Sequence, residues 1–451
     1  MFITTVSSLQ EAADALKDGV GPVVALPVYN AYEDVIQCLW ALFRHTPSET
    51  DILIIDDGSV EAWLARLVES LGEITHRVIG WEHRENRGFV ATANETFRAA
   101  GRRDVVLLNS DVVVGPEWLE RLQKAAHSDT RLATATPLTN NGTILSVPYR
   151  NTPSDLPSGC TPESAARAIA ASSYGLRPRI PTAIGHCLYI KRMAIDLVGE
   201  FDEVFSPGYG EEVDFSQRCH LVGLAHVCAD DVFVYHRGSS SFGRSPETQN
   251  LKEQHEQIIA RRYRYYHPWV HRTANDTTSA LATAIAAARR ALLGMTVLVD
   301  ATCLRPVGEI MGTQRNVVET IRALTRHPRI NRVIAFLPPS GPAYLIEAFA
   351  GCDKLELIRK AQSPDSVTGV DVAYRPFQVS STQELKQLRK LGDRVVLAQL
   401  DFIAFNNPGY FPTPTAWEEY RNLTKLTLAI ADGVSFISRH TEAEARVEGL
   451  I

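Results

Sequence analysis

The hydrophobic positions of this chain fall in short unbroken runs that stop at polar tips, with longer periodic stretches between them. Residues 22–30, PVVALPVYN, form an apolar run closed by a polar tip at Asn30. Residues 51–59, DILIIDDGS, repeat the design, with two carboxylates and a glycine turn after the run. Residues 105–114, VVLLNSDVVV, are interrupted only by Asn109, Ser110 and Asp111. Runs rich in Val, Ile and Leu read as strands buried on both faces. Between them, residues 32–45 place Val35, Leu39, Leu42 and Phe43 at helical spacing. Residues 60–71 read as a second helix, and ENRGFVATANETFRAA at 85–100 opens a third after a strand at 78–81. Strand, helix, strand, helix at this spacing predicts a parallel, doubly wound α/β sheet.

From residue 136 to about 181 the pattern loosens into Pro, Ser, Thr and Asn, predicting an active-site lid or binding loop around a short helix at 162–172. A strand follows at 184–190, a helix beginning in acids at 210–223, a short strand at 232–235 and a charged helix at 250–267. Near Gly294 the design restarts with the strand of MTVLVDATCL. A helix at 314–324 and strands at 333–336, 370–374, 395–399 and 434–437 come after it. The expected organisation is a domain over 1–270, a helical linker over 271–293 and a second domain over 294–451. Residues 280–293, ALATAIAAARRALL, are too short to span a bilayer and are broken by Arg289 and Arg290. The closing TEAEARVEGLI predicts a fragment of a longer polypeptide.

Composition narrows the class. A chain of 451 residues is too long for one core and suggests two to three domains. An apolar share of 45% and a charged share of 22% are those of a globular protein, and a net charge of −6 offers no nucleic-acid surface. The seven cysteines show no CxxC pattern and read as reduced, buried thiols of a cytosolic protein. The N-terminus lacks the pattern of a signal peptide. The expectation is a cytoplasmic protein without a transmembrane segment, with peripheral contact at the inner face of the membrane left open.

The polar tips carry the candidate chemistry. In open α/β sheets ligands gather at the carboxyl ends of strands. Asp111 there can hold a divalent cation against a diphosphate, since hard cations prefer oxygen; the competing reading is a turn or helix cap. Asp56 and Asp57 can accept hydrogen bonds from a base or a ribose, or can simply close a turn. Glu211, Glu212 and Asp214 open a helix, where the dipole favours acids and keeps a general base ionised. Arg218 is spaced to pair with Asp214 at i,i+4.

Six motifs occur in one order: PVYN at 27–30, IIDDGS at 54–59, NRGF at 86–89 followed by Asn94, LLNSD at 107–111, GEEVDFSQR at 210–218 and YHRGSSSFG at 235–243. Over about residues 20–245 the chain resembles a family 2 glycosyltransferase of GT-A fold. The resemblance implies a nucleotide-diphospho-sugar donor held by the first half of the sheet and an acceptor received by the second. It implies that Pro27, Tyr29, Asn30, Asp56 and Asp57 line the nucleoside pocket, with Asn86, Gly88 and Asn94 in the loop beneath. Asn109 and Asp111 would face the diphosphate. Asp111 and His236 would hold Mn2+ or Mg2+, which neutralises the leaving group. Glu212 would be the general base of an inverting displacement, with Glu211 in reserve and Asp214 in the same motif. Trp118, Phe201 and Tyr209 could flank an acceptor sugar, with core packing the competing reading, above all for Phe201. The sequence departs from the pattern twice, with Asn109 in place of a carboxylate and Glu211-Glu212 in place of Glu-Asp.

Residues 294–451 carry MTVLVDATCLRP, GEIMGTQRNVVETIRAL, DVAYRPFQVSS, QLDFIAFNNPGYFP and ADGVSFISRHTEAEA. They resemble the N-terminal, acceptor-side half of a family 4 glycosyltransferase of GT-B fold. That implies a Rossmann-like half-domain, truncated and inactive alone. Residues 308–313, Asp401 and His440 could face its cleft or serve turns and caps. Together the resemblances imply transfer of a sugar, rhamnose among the candidates, to a glycan or lipid-linked glycan in cell-surface polysaccharide synthesis. Two other classes stand beside this. One is an inactive glycan-binding or scaffold domain, motivated by Asn109 and Glu212. The other is a sugar nucleotidyltransferase, which wants a glycine-rich basic phosphate loop that PVVALPVYN lacks.

Overall fold

The computed structural model describes residues 3–60, 76–238, 246–305, 312–340, 343–359 and 369–451. The helix expected at 60–71, the tail of YHRGSSSFG and most of 308–313 lie outside the described residues. The chain forms two compact units, Met1–Leu292 and Leu293–Ile451.

The first unit is built on one sheet. Its strands are β1 (Ile3–Val6), β2 (Val23–Val28), β3 (Asp51–Asp56), β4 (Arg77–Glu82), β5 (Val105–Leu108), β6 (Val112–Val113), β7 (Leu132–Thr139), β8 (Arg179–Ile180), β9 (Cys187–Ile190) and β10 (Ala225–His236). Among the described residues the order is β1-β4-β3-β2-β5-β9-β7-β10-β6, with β8 beside β10. Strands β1 to β5 are parallel, as the runs predict. The parallel expectation stops at β9, which runs antiparallel to both β5 and β7. The chain enters β9 from the short strand β8 and residues 181–186 rather than directly from a crossover helix, so nothing imposes the parallel sense. The reversal sets the start of β9 beside the end of β5.

Alternation along the strands divides the core. Val24 and Leu26 of β2 and Ile52 and Ile54 of β3 pack with Val35, Leu39 and Leu42 of the helix Tyr32–His45. Ala25, Leu53 and Ile55 face the other way, with Leu16, Val90, Phe97 and Phe215. Burial on both faces is why these strands read as unbroken apolar runs. Trp118 lies in the first of these layers at 1% exposure, its indole N–H donating to Thr46 Oγ1 at 3.0 Å. It is a core residue and not the acceptor platform the sequence suggested.

The segment 136–181 is not a loose lid. Its first four residues are the end of β7, and Ile144, Leu145, Val147 and Ile169 form a third cluster. That cluster also receives Leu281, Ile285 and Ala288 from the helix Ala280–Leu293. The stretch read as a linker therefore packs as part of the first unit. The charged helix expected at 250–267 is Pro246–Arg262, followed by a separate helix Tyr266–Asn275. All seven cysteines are free; Cys38, Cys187, Cys219 and Cys228 are buried, while Cys160, Cys303 and Cys352 are partly exposed. Among the described residues no helix is long and apolar enough to cross a membrane.

The second unit holds β11 (Met295–Asp300), β12 (Ile330–Leu337), β13 (Leu355–Arg359), β14 (Val372–Arg375), β15 (Arg394–Gln399) and β16 (Gly433–Phe436). All pair in parallel, in the order β13-β12-β11-β14-β15-β16. This is the doubly wound dinucleotide-binding order, whose sense reverses between β11 and β14.

Ile285→Ala tests the packing of the supposed linker. Ile285 is 5% exposed in the third cluster, so truncation should cost about 2–5 kcal/mol. Urea unfolding followed by tryptophan fluorescence measures it; a midpoint equal to that of the unmutated chain would mean that the helix does not dock.

Candidate active site

The turns after β2 and β3 are tied together. Asp56, the last residue of β3, accepts from Ser59 N–H at 3.1 Å and Ser59 Oγ at 2.5 Å. Ser59 Oγ accepts from Asn30 N–H at 2.8 Å, and Asn30 Oδ1 accepts from Val60 N–H at 3.2 Å. Asn30 adopts φ 55°, a left-handed conformation that Asn tolerates better than most residues. Pro27 lies within β2, and Tyr29 is half-buried at the tip. The two turns expected to line a nucleoside pocket thus form one hydrogen-bonded rim.

Asp57 has a different occupation. Its Oδ1 accepts from Arg87 N–H at 2.9 Å and meets His83 Nδ1 at 2.8 Å, while its Oδ2 accepts from Gly88 N–H at 2.8 Å. The other side of His83 faces Glu95, with Nε2 to Oε2 at 2.8 Å, and Glu95 also pairs with Arg87. Burial alone would lower the His83 pKa, but hydrogen bonds to Asp57 and Glu95 raise it to about 9. Both oxygens of Asp57 are spent on holding the 83–88 turn, which makes it a positioning residue.

That turn reaches the acidic motif through a close approach. Gly88 has φ +86°, and a Cβ there would fall 2.7 Å from Pro207 Cβ. Phe89 N–H donates to the Pro207 carbonyl at 2.8 Å. Asn94 is 3% exposed; its Nδ2 donates to the Phe201 carbonyl and its Oδ1 accepts from Phe201 N–H, both at 2.9 Å. Asn94 and the buried Phe201 therefore fix the approach to residues 207–210, and Asn86 is exposed on the turn.

The helix Glu211–Leu221 starts after Gly210, at φ 100°. Three donors surround Asp214: Arg262 Nη1 at 2.7 Å, Tyr263 Oη at 2.8 Å and the expected Arg218 Nε at 2.8 Å. At 0% exposure and fully engaged, Asp214 anchors the helix and has no route to a substrate proton. Glu211 is 5% exposed and Glu212 half-buried. Burial, and then the neighbouring Glu212, pushes the Glu211 carboxyl well above the usual carboxylate range. Burial raises Glu212 as well, against hydrogen bonds from the helix-start N–H groups. Tyr209, at φ 74°, carries Lys252 Nζ 4.3 Å from its ring centroid, and its carbonyl bonds His255 Nδ1 at 2.8 Å.

At the end of β5, Asp111 and His236 come together, with Oδ2 3.3 Å from Nε2. His236 Nδ1 lies 2.9 Å from the Asn141 carbonyl and His236 N–H donates to Asn140 Oδ1 at 2.7 Å. A proton on Nδ1 directed at a carbonyl turns the Nε2 lone pair towards Asp111, the tautomer a metal-ligating imidazole uses. Asn109 N–H donates to the His186 carbonyl at 3.0 Å. Among the described residues no group of three His, Cys, Asp or Glu side chains is placed to hold a metal. The protein thus offers one carboxylate and one imidazole, with Asn109 alongside.

Three functional candidates escaped the sequence. His83 falls between the strand read at 78–81 and the stretch 85–100, and Glu95 lies within that stretch, which was read only for its asparagines and glycine. His186 stacks on His236 with ring centroids 5.7 Å apart, is 3% exposed, and among the described residues has no hydrogen-bond partner at either ring nitrogen. Burial, and then His236, holds its pKa well below the ordinary value. Its one signal was position, immediately before β9.

In the second unit, Asp401 accepts from Ile403 N–H at 3.0 Å as a turn residue, and His440 is 83% exposed beside Glu444. At the strand-order reversal, Asp300 and Arg375 pair at 3.0 Å, and Glu384 meets the same guanidinium at 2.9 Å.

Residues 23–198 match the family model described as Glycosyl transferase family 2, so a family 2 domain lies within the first unit. EpsH of Bacillus subtilis, named as a glycosyltransferase, is 30% identical over 115 residues, 25% of this chain and 32% of that protein. The chain thus spans about a third of that relative's length. The N-acetylglucosaminyl-diphospho-decaprenol L-rhamnosyltransferase of Mycobacterium tuberculosis is 26% identical over 247 residues, 50% of this chain and 78% of that one. A crystal structure of GalNAc-T7 with UDP, GalNAc and Mn2+ superposes with a TM-score of 0.41 at 13% identity, covering 58% of this chain and 53% of that one.

His83 gives the site a pH signature. Its folded pKa, about 9, lies above the unfolded 6.5. The stabilisation, on the order of 3 kcal/mol, is fully present below pH 6.5 and is lost as pH rises through 9. Thermal melts of the unmutated chain and His83→Gln should differ most below pH 6.5 and converge above pH 9. A gap that widens with pH would show that His83 is not held charged.

Proposed function

We propose that the first unit is a metal-dependent, inverting glycosyltransferase that takes a nucleotide-diphospho-sugar and glycosylates a glycan or lipid-linked glycan. The observation that carries this is the Asp111–His236 pair, 3.3 Å apart where β5 and β10 end, with Asp111 inside the matched residues 23–198 and His236 beyond them. One hard oxygen and one imidazole suit Mn2+ and accept Mg2+, with diphosphate oxygens and water completing the shell. When bound, the ion would supply positive charge to the departing diphosphate. The rim made by Asn30, Asp56 and Ser59 would receive the nucleoside, and Asn109 would sit against the diphosphate.

Glu212 is the general base of this reading. A base must be ionised and reachable. Burial and its neighbour push the buried Glu211 well above the usual carboxylate range, and Glu212, also raised by burial, is the less buried of the two. Glu212 takes the acceptor hydroxyl proton, the acceptor oxygen bonds to the anomeric carbon from the side opposite the phosphate, and the anomeric carbon–oxygen bond breaks. The nucleoside diphosphate leaves and the configuration inverts. The mycobacterial relative brings a specific version, with a rhamnosyl donor and a polyprenyl-diphosphate sugar as acceptor. Synthesis of cell-surface polysaccharide on the cytoplasmic side of a membrane fits that chemistry. The second unit, with its doubly wound order, is proposed to be the acceptor-side half of a family 4 transferase.

Thermal shift with UDP, GDP, dTDP and CDP, each with Mn2+ or EDTA, tests the donor site. One nucleotide should raise the melting temperature only with metal, and Asp111→Ala should abolish that shift. No shift with any of them would refute the donor reading.

Glu212→Gln should keep the nucleotide shift and lower turnover by about two to four orders of magnitude, and the acid limb of kcat should lie above the ordinary carboxylate range. If Glu211→Gln is the inactive variant and Glu212→Gln turns over normally, the base assignment is reversed.

A further inference from the structure

The first unit has a second concave surface that the reaction above does not use. A cleft of about 750 Å3 lies between the helix Tyr32–His45 and the start of the helix Pro162–Ser172, beside β6 and the end of β10. That size falls within the roughly 300–1,000 Å3 of small-molecule sites. Alternation along β10 divides its end between two tasks. His236 turns to Asp111, while its neighbours Tyr235 and Arg237 line the cleft.

The cleft wall carries an unusual residue. Trp40 is 55% exposed on a helix whose Val35, Leu39 and Leu42 are all buried in the core. An indole left in water forgoes the burial that a side chain of this size normally finds. The surrounding charges are balanced rather than cationic. Arg44 lies 3.6 Å from Glu163, and Arg237 lies 3.0 Å from Asp34 and bonds Gln37. Asp155 adds a further carboxylate at the edge. Phosphate, nucleic acid or an anionic lipid surface would need an excess of cations that the described residues of this cleft do not supply. What it offers is a broad aromatic face ringed by fixed donors and acceptors. That suits a neutral, polyhydroxylated ring, whose C–H face lies on the indole while its hydroxyls bond carboxylates and guanidinium.

We propose that this cleft is a second saccharide site, binding a neutral oligosaccharide apart from the donor site. Its use, holding the far end of the acceptor chain, rests on the function proposed above; the binding itself does not.

The test uses the full chain without nucleotide or metal. Maltotetraose, cellotetraose and a rhamnose tetrasaccharide are titrated, with tryptophan fluorescence and saturation-transfer NMR as readouts. At least one should bind saturably at millimolar concentration. Trp40→Ala should weaken it by about tenfold or more, and Glu163→Ala should weaken it too, both with unchanged melting temperature. Asp111→Ala should bind as the unmutated chain does. No binding by any of the three, undiminished binding in Trp40→Ala, or displacement by inorganic phosphate would each overturn the proposal. A metal-dependent nucleotide shift with no oligosaccharide binding removes the cleft and leaves the transferase. Oligosaccharide binding with no nucleotide shift does the reverse.

Discussion

The geometry of the first unit hangs on the Asp57 carboxylate. Two oxygens receive three contacts, from His83, from Arg87 N–H and from Gly88 N–H. An amide could not replace it, because an amide has one acceptor oxygen and no charge to set against an imidazolium. The group lies at 4% exposure, where removing one partner of an ion pair typically costs about 3–5 kcal/mol. Its hold on Gly88 lets that glycine approach Pro207, and Phe89 N–H then bonds the Pro207 carbonyl. Residues 207–210 lead directly into the helix of Glu211 and Glu212. The rim after β3 and the acidic motif, more than 150 residues apart in sequence (57 against 211), are therefore parts of one frame.

The same unit sorts its histidines by their neighbours. Carboxylates on both sides raise His83; Asp111 and a backbone carbonyl raise His236 against its burial; His186, with neither, is lowered. A buried imidazole without a hydrogen-bond partner carries a desolvation cost of about 1–3 kcal/mol. What His186 presents to His236 is a flat ring, stacked at 5.7 Å between centroids. Divergent environments for chemically identical groups mark a site better than the groups themselves do.

Legibility followed periodicity and order. The helix Tyr32–His45 stands where its apolar spacing places it, and the short helix read at 162–172 is Pro162–Ser172. The nearness of Asp111 to His236 was readable because one follows β5 and the other ends β10 in an ordered set of motifs. β7 was not readable. LATATPLT alternates alanine with threonine and contains a proline, which reads as loop, yet all eight residues are buried. Its hydroxyls are satisfied inside, Thr134 by His226 at 2.7 Å, a long-range pairing with no local signature. Trp118 misled for the opposite reason. An aromatic near a motif suggests a platform, and only the bond to Thr46 reveals a core position. Both errors arise from partners distant in sequence.

The two units use the strand-end rule differently. In the second, the reversal point of the sheet is filled by the protein's own charges. Arg375 is 4% exposed, is shared between Asp300 and Glu384, and lies 4.1 Å over the Phe377 ring. A guanidinium so committed would have to abandon two carboxylates to receive an anionic ligand, leaving buried charges unpaired. In the first unit, among the described residues, the Asp111 carboxylate faces the His236 imidazole at 3.3 Å with no arginine beside it, while His236 is held from behind by Asn140 and Asn141. A strand end is ready for a ligand when its polar groups are oriented yet incompletely satisfied. By that criterion the end of β5 is the better candidate for a ligand, and the Arg375 network ties β11 to β14.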